Sequence, residues 1–240
     1  MRFLVDPAHV RLEPAGWLFL AIVGVLLPLG ALRQHRRLAT GIQRPTRGGI
    51  YASAIMTHVV FVIMVWVVAR QERLDLFQPY RPTTLHVAVG LLALAIGLLP
   101  VLKRFALDDP VSRERVRLIA PRTPKEFGVF YLLSITAGFA EEVTYRGLLF
   151  TLLAALVRSW TIAALIAAAV FGIVHLFQGW KAAGIAALMG LREQIVVGLT
   201  ATLLVAMAVH ALHDAIAGTI IGLRARREDL TEAETSHAIA

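Results

Sequence analysis

Apolar runs long enough to cross a lipid bilayer dominate this chain and leave few architectures open to it. A spanning helix needs about 20 mainly apolar residues, with about 17 to 25 tolerated. Three such runs stand at about Gly16 to Leu32, Ile50 to Ala69 and Leu85 to Leu102. Further apolar stretches cover about Phe127 to Val157, Thr161 to Phe177 and Ala182 to Leu223. Composition agrees: 58% of residues are hydrophobic, 17% are charged and the mean hydropathy is +0.70, where a soluble domain carries about 25% charge. A secreted disulfide scaffold, a disordered chain and an ordinary cytosolic enzyme are excluded. The chain reads as an integral membrane protein.

The stretch from Phe127 to Val157 is too long for one straight span, and Glu141-Glu142-Val143-Thr144-Tyr145-Arg146 interrupts it. It predicts two helices or one bent helix. The stretch from Ala182 to Leu223 predicts two helices divided between Arg192 and Met207. The fold class is therefore all-α, a polytopic transmembrane bundle of seven or eight helices with an intramembrane polar cavity. It forms a single integral membrane domain over 1–240: N-terminal helices and loops over 1–125, motif-bearing helices over 126–223 and a polar tail over 224–240. There is no internal repeat and no low-complexity tract. The first run does not read as a signal peptide. Met1–Pro14 sets Asp6 and Glu13 against Arg2 and Arg11, and arginines follow the run as in a stop-transfer segment.

The formal charge of +8 and pI near 10.7 would suggest nucleic acid if the basic residues were interleaved with aromatics on a soluble surface. Here they sit between apolar runs, where they mark topology, so no nucleic-acid partner is expected. The segment Arg33–Gly49 holds Arg33, Arg36, Arg37, Arg44 and Arg47, and Lys103–Lys125 holds Lys103, Arg104, Arg113, Arg115, Arg117, Arg122 and Lys125. Both should be cytoplasmic, as should the tail with Arg224, Arg226 and Arg227, with the weaker Arg70–Pro82 loop outside. An external N-terminus and an internal C-terminus require an odd number of crossings, which eight full spans would violate. Composition points to a bacterial inner (plasma) membrane, with lipid as the surroundings. The chain has no cysteine, which removes disulfides, thiolate metal sites and thiol nucleophiles.

An ionisable side chain near the bilayer centre costs about 2.5–3.5 kcal/mol on insertion scales, so those present are functional candidates. The carboxylates within or bordering apolar stretches are Glu126, Glu141, Glu142, Glu193 and Asp214; the histidines are His58, His175, His210 and His213. Glu126 at a helix start and Glu193 beside an expected interruption read as interfacial. Residues four apart share a helix face, so Glu142 can pair with Arg146. Glu141 points elsewhere without a local partner, and burial would raise its pKa toward the range of a general base. The same residues also fit a structural ion pair with Glu141 at a helix end. In Phe171-Gly172-Ile173-Val174-His175 the histidine fits a hydrogen-bonded helix end or a catalytic group. Phe171 could wall its ring from lipid, and Gly172 allows close approach of a neighbouring helix. In His210-Ala211-Leu212-His213-Asp214, His210 and Asp214 share a face, His213 reads as a bystander or supporting partner, and His58 as a satisfied core residue. Together the three motifs supply a base, two histidines and a further polar group, a set able to activate water and bind an oxyanion.

Glu-Glu-x-x-x-Arg, then Phe-x-x-x-His, then His-x-x-x-Asp or Asn on successive hydrophobic helices resembles the CAAX protease and bacteriocin-processing family, which includes the type II CAAX prenyl endopeptidases. The match runs from about Glu126 to Gly222. The resemblance implies an intramembrane endopeptidase that hydrolyses a peptide bond of a membrane-associated peptide or protein. Glu141 would activate water, His175 would hold it, and His210 and Asp214 would line the oxyanion hole. Glu142, Arg146 and Phe171 would be structural or substrate-orienting. Asp214 departs from the commoner Asn, and a charged Asp cannot donate to an oxyanion. No metal or cofactor is favoured, because one carboxylate and one histidine suffice to activate water. If a metal were present, Glu141, His175, His210 and Asp214 could ligate zinc. The rival readings are a membrane transporter or proton-relay protein using the same buried groups and a catalytically silent immunity or scaffold protein.

Overall fold

The computed structural model describes residues 6, 10–39, 45–77, 79–103 and 108–239. Arg2, Arg44 and Arg104, counted in the charge argument, lie outside the described residues. The described residues form eight helices and no strand. Helix α1 runs from Pro14–Ala21 through a π-helical stretch, Ile22–Leu26, into Leu27–Ala39. Helices α2 (Arg47–Gln71) and α3 (Thr84–Leu102) follow, then the short α4 (Pro110–Ile119). Helix α5 is continuous from Pro124–Glu141 through a π-helical segment, Glu142–Leu149, to Phe150–Val157. Helix α6 (Trp160–Val174) ends in a 3-10 turn, Leu176–Gln178, and α7 (Trp180–Thr200) and α8 (Leu203–Ile239) complete the bundle.

The first four N–H groups of any helix lack intrahelical partners, and lipid supplies none. The sequence answers this at five of the eight starts. Thr46, Thr83, Thr123 and Ser159 accept from backbone N–H groups at the starts of α2, α3, α5 and α6. Asp109 does so for α4, and the Ser112 amide holds its carboxyl below the ordinary aspartate range. Helix α1 has no cap of its own. Its cap comes from the far end of α2, where the buried Glu72 accepts from the Gly16 amide at 2.7 Å and the Glu13 amide at 3.1 Å.

Polar contacts sort the helix ends into two layers. At one end Arg47 donates to Leu118 O and Glu126, and Tyr51 Oη to Ile119 O. Arg117 and Arg122 pair with Asp229, Arg224 donates to Val101 O, and His35 and Arg115 meet at Leu176 O. Both basic loops and the basic start of the tail thus share one layer. The opposite layer holds Glu72 with the start of α1, and His86 Nε2 donating to Thr200 O. Five helices are long and apolar enough to cross a membrane, namely α1, α2, α3, α7 and α8, and each has one end in each layer. Helices α5 and α6 form a hairpin that leaves the basic layer and returns to it. Such a hairpin contributes an even number of crossings however deep it reaches, so eight helices are compatible with termini on opposite sides. The eighth, α4, lies within the segment read from sequence as a loop; at ten residues it is too short to register as a span.

The spans are apolar outside, and the buried interior holds charged groups among apolar ones. Leu18, Met56, Ile63, Leu91 and Leu99 are exposed on the spans, whereas Glu142, Arg146, Glu193 and His210 are buried. In water this partition would be unfavourable; in hydrocarbon it keeps charges among their partners. Two glycines let helices meet closely enough for that. A Cβ on Gly172 would lie 2.7 Å from Ala187 Cβ and 2.8 Å from Ala183 O of α7, and one on Gly138 would lie 2.7 Å from Met207 O of α8.

Because the chain has no cysteine of its own, single cysteines report sidedness cleanly. Lys125→Cys and Arg81→Cys, both at exposed positions, should be labelled by a membrane-impermeant maleimide from opposite faces of sealed vesicles, with Lys125→Cys on the cytoplasmic face. Labelling of both from one face would overturn the two-layer topology.

Candidate active site

The site is organised by the π-helical segment of α5, which is buried throughout. Its i→i+5 pattern widens the helix just after Glu141, and the hydroxyls of Thr144 and Thr151 donate to Ala140 O and Gly147 O at 2.6 Å. Backbone acceptors around the distortion therefore have side-chain partners. Glu142 Oε1 accepts from His210 Nδ1 at 2.7 Å and lies 3.0 Å from Arg146 Nη1. The Arg146 guanidinium sits 4.2 Å above the Phe171 ring, a cation–π contact strengthened by its exclusion from water. The same ring packs edge-on against Tyr145 and tilts over His175 at 4.5 Å. One carboxylate oxygen and one phenyl ring thereby link α5, α6 and α8.

His210 Nε2 faces Asp214 Oδ2 at 3.5 Å and Glu141 Oε2 at 3.8 Å, so three carboxylates surround this imidazole. Asp214 also meets His213, with Oδ1 3.2 Å from Nδ1, while His213 Nε2 donates to Gly97 O of α3 at 3.1 Å. At the end of α6 His175 Nδ1 donates to Phe171 O at 2.7 Å, which leaves Nε2 as an acceptor. Glu141 Oε1 lies 3.2 Å from His58 Nε2 of α2, and Oε2 is buried without a hydrogen-bond partner. Glu141, His175, His210 and Asp214 line one cavity of about 310 Å³. Its walls continue through Ala54, Phe130 and Ile185 to Ile50, Val101 and Ile119 in the basic layer.

One sequence expectation is corrected and two are sharpened. Glu193 is not interfacial: it lies within α7, buried against Arg192, and lines the cavity. The expected helix break falls at Ala201, within the predicted interval and in left-handed backbone, so it does not reach Glu193. Glu141 has no partner on its own helix but meets His58 of α2, a buried and hydrogen-bonded residue that also lines the cavity. His58 carried a usable signal, since no residue three or four away on its own helix can pair with it, so its partner had to come from another helix. Arg192, which donates to Ala93 O at 3.2 Å, was likewise passed over. Its adjacency to Glu193 and Gln194 in an otherwise apolar run was the available sign. Among the described residues no three of His, Asp and Glu converge as a metal would require, so the four potential zinc ligands do not fit one as they stand.

A membrane-embedded helical bundle with carboxylates and histidines gathered in a buried cavity defines the class. Residues 123–216 match the sequence model of the family described as type II CAAX prenyl endopeptidase Rce1-like. All three motifs fall within that segment, and the resemblance read from them is borne out over it. The match supports an intramembrane protease of the CAAX type in general terms. No curated protein and no solved structure matches the chain.

Glu142→Gln would leave Arg146 buried beside a neutral amide. Breaking a buried ion pair costs about 3–5 kcal/mol, so this variant should melt well below wild type in detergent, with activity falling alongside. An unchanged melting temperature would show that the Glu142 charge is not holding Arg146 and His210.

Proposed function

We propose that the chain hydrolyses a peptide bond near the membrane-bound end of a peptide or protein, using water activated by Glu141 and His175. The observation that carries this reading is the pair of unused acceptors on one cavity, Glu141 Oε2 and His175 Nε2. A water between them donates one hydrogen to each. Glu141 Oε2 takes a proton as the water oxygen attacks the scissile carbonyl carbon, and the same proton passes to the leaving nitrogen as the C–N bond breaks. His210 is the oxyanion donor: its Nδ1–H is committed to Glu142, and its Nε2–H faces the cavity. Asp214 accepts from His213 and sets a negative charge 3.5 Å from His210 Nε2 instead of donating, which gives an aspartate a role where an asparagine amide would donate. The apolar walls toward the basic layer suit a substrate held by a lipid or hydrophobic anchor.

The reaction is read as metal-free, one carboxylate and one imidazole being enough for the proton transfers. Quenched-fluorescent peptides with and without an S-prenylated cysteine near the C-terminus, offered to the purified chain in detergent, test it. Cleavage should be abolished in Glu141→Gln, which keeps the size of the side chain and removes the basic oxygen. Chelators should leave wild-type turnover unchanged. Asp214→Asn should stay within about tenfold of wild type, because one acceptor oxygen remains, while Asp214→Ala should lose about 10²-fold. Turnover by Glu141→Gln would sink the base assignment; chelator-sensitive turnover would sink the metal-free reading.

A further inference from the structure

Glu141 is held from the opposite side of the cavity by a chain of contacts that begins on its own helix. Thr136, one turn and a half before it on α5, has its hydroxyl 3.0 Å from both Leu133 O and His58 Nδ1. The other nitrogen of that imidazole is 3.2 Å from Glu141 Oε1. The His58 side chain is buried on an otherwise apolar stretch of α2. Among the described residues Thr136 and Glu141 are its hydrogen-bonding partners.

We propose that His58 is a positioning residue for the reaction: it occupies Glu141 Oε1, fixes the carboxylate plane and leaves Oε2 as the oxygen that receives the proton of water. The inference rests on the reading of Glu141 as the base. With Glu141 ionised, a carboxylate oxygen only accepts, so His58 Nε2 must carry the hydrogen of this contact. That holds for either arrangement of Thr136. If its hydroxyl donates to Leu133 O, it accepts from Nδ1–H; if it turns to His58, it donates to Nδ1. In the catalytic cycle the proton lost by water resides on Oε2 and leaves on the amine product. His58 neither gains nor loses one. Its contribution is geometric, keeping Oε2 in the cavity, where it faces His210 Nε2 at 3.8 Å.

The test uses the full chain and the quenched peptide of the base assay. Misplacing a reacting group by about 1 Å can cost about 10²-fold, so His58→Phe should lower kcat by about that factor and change KM by much less. His58→Gln places an amide donor near the imidazole Nε2 position and should recover activity to within about tenfold of wild type. Thr136→Val keeps the His58–Glu141 contact but frees the ring, and its kcat should lie between those of wild type and His58→Phe. Should the Phe variant not fold, the Gln and Val variants carry the comparison. Equal impairment of His58→Gln and His58→Phe, or a wild-type kcat in Thr136→Val and His58→Gln alike with a rise only in KM, would overturn the positioning role. Wild-type turnover in His58→Phe beside an inert Glu141→Gln would overturn this inference alone. Turnover in Glu141→Gln would remove the base assignment and this inference with it.

Discussion

Everything in the second half of the chain is arranged around one carboxylate oxygen. Glu142 Oε1 receives an imidazole from α8 and faces a guanidinium one turn along its own helix. In hydrocarbon none of the three groups is tolerable alone. An isolated buried ion carries a penalty of several kcal/mol, and mutual attraction compensates only when the geometry is good. The pairing therefore dictates where α8 must pack against α5, and Gly138 permits it by letting the α8 backbone touch α5. Phe171 closes the arrangement from α6 by offering its face to the same guanidinium.

The ion-paired carboxylate and the cavity-lining carboxylate are neighbours in sequence but separate in placement. Glu141 and Glu142 are consecutive, and the helical turn sends one carboxylate into the packed interior and the other to the cavity. Each carboxylate keeps one buried oxygen without a hydrogen bond, but Glu141 lines the cavity, whereas Glu142, away from it, holds a cation and a hydrogen-bond donor. The π-helical widening begins between them, so the two side chains leave a helix whose pitch changes at that point. Local distortion of this kind recurs where a helix must present side chains at spacings an α-helix does not offer.

Much of the architecture was legible because the bilayer imposes a length. The spans near Gly16, Ile50 and Leu85 needed only hydropathy, and the excess length of Phe127–Val157 foretold an irregular helix. What hydropathy could not tell was the kind of irregularity, since a π-helical register has no local sequence signature. Nor could it tell that α5 and α6 return to the layer they left, because that depends on which ends meet. The three motifs brought Glu141, His175, His210 and Asp214 together on paper, and in space they line one cavity. His58 was missed because its partner is 83 residues away, a pairing no spacing rule within one helix reaches. Glu193 was misplaced by a supposed break nearby; its burial depends on Arg192 and on helices that pack around α7.

Among the described residues the cavity lining reaches toward one end of the bundle. It takes in Ile50, Val101, Ile119 and Ile221 at the basic end, while the opposite end is packed with Leu76, Leu148, Leu149 and Leu203, all buried. Acids, imidazoles and water strung across a membrane would make a conduit for protons and discharge the gradient the membrane maintains. Sealing one end with hydrocarbon side chains separates chemistry from conduction. A bundle built this way can hold a polar, titratable interior at depth without joining the two faces of the membrane.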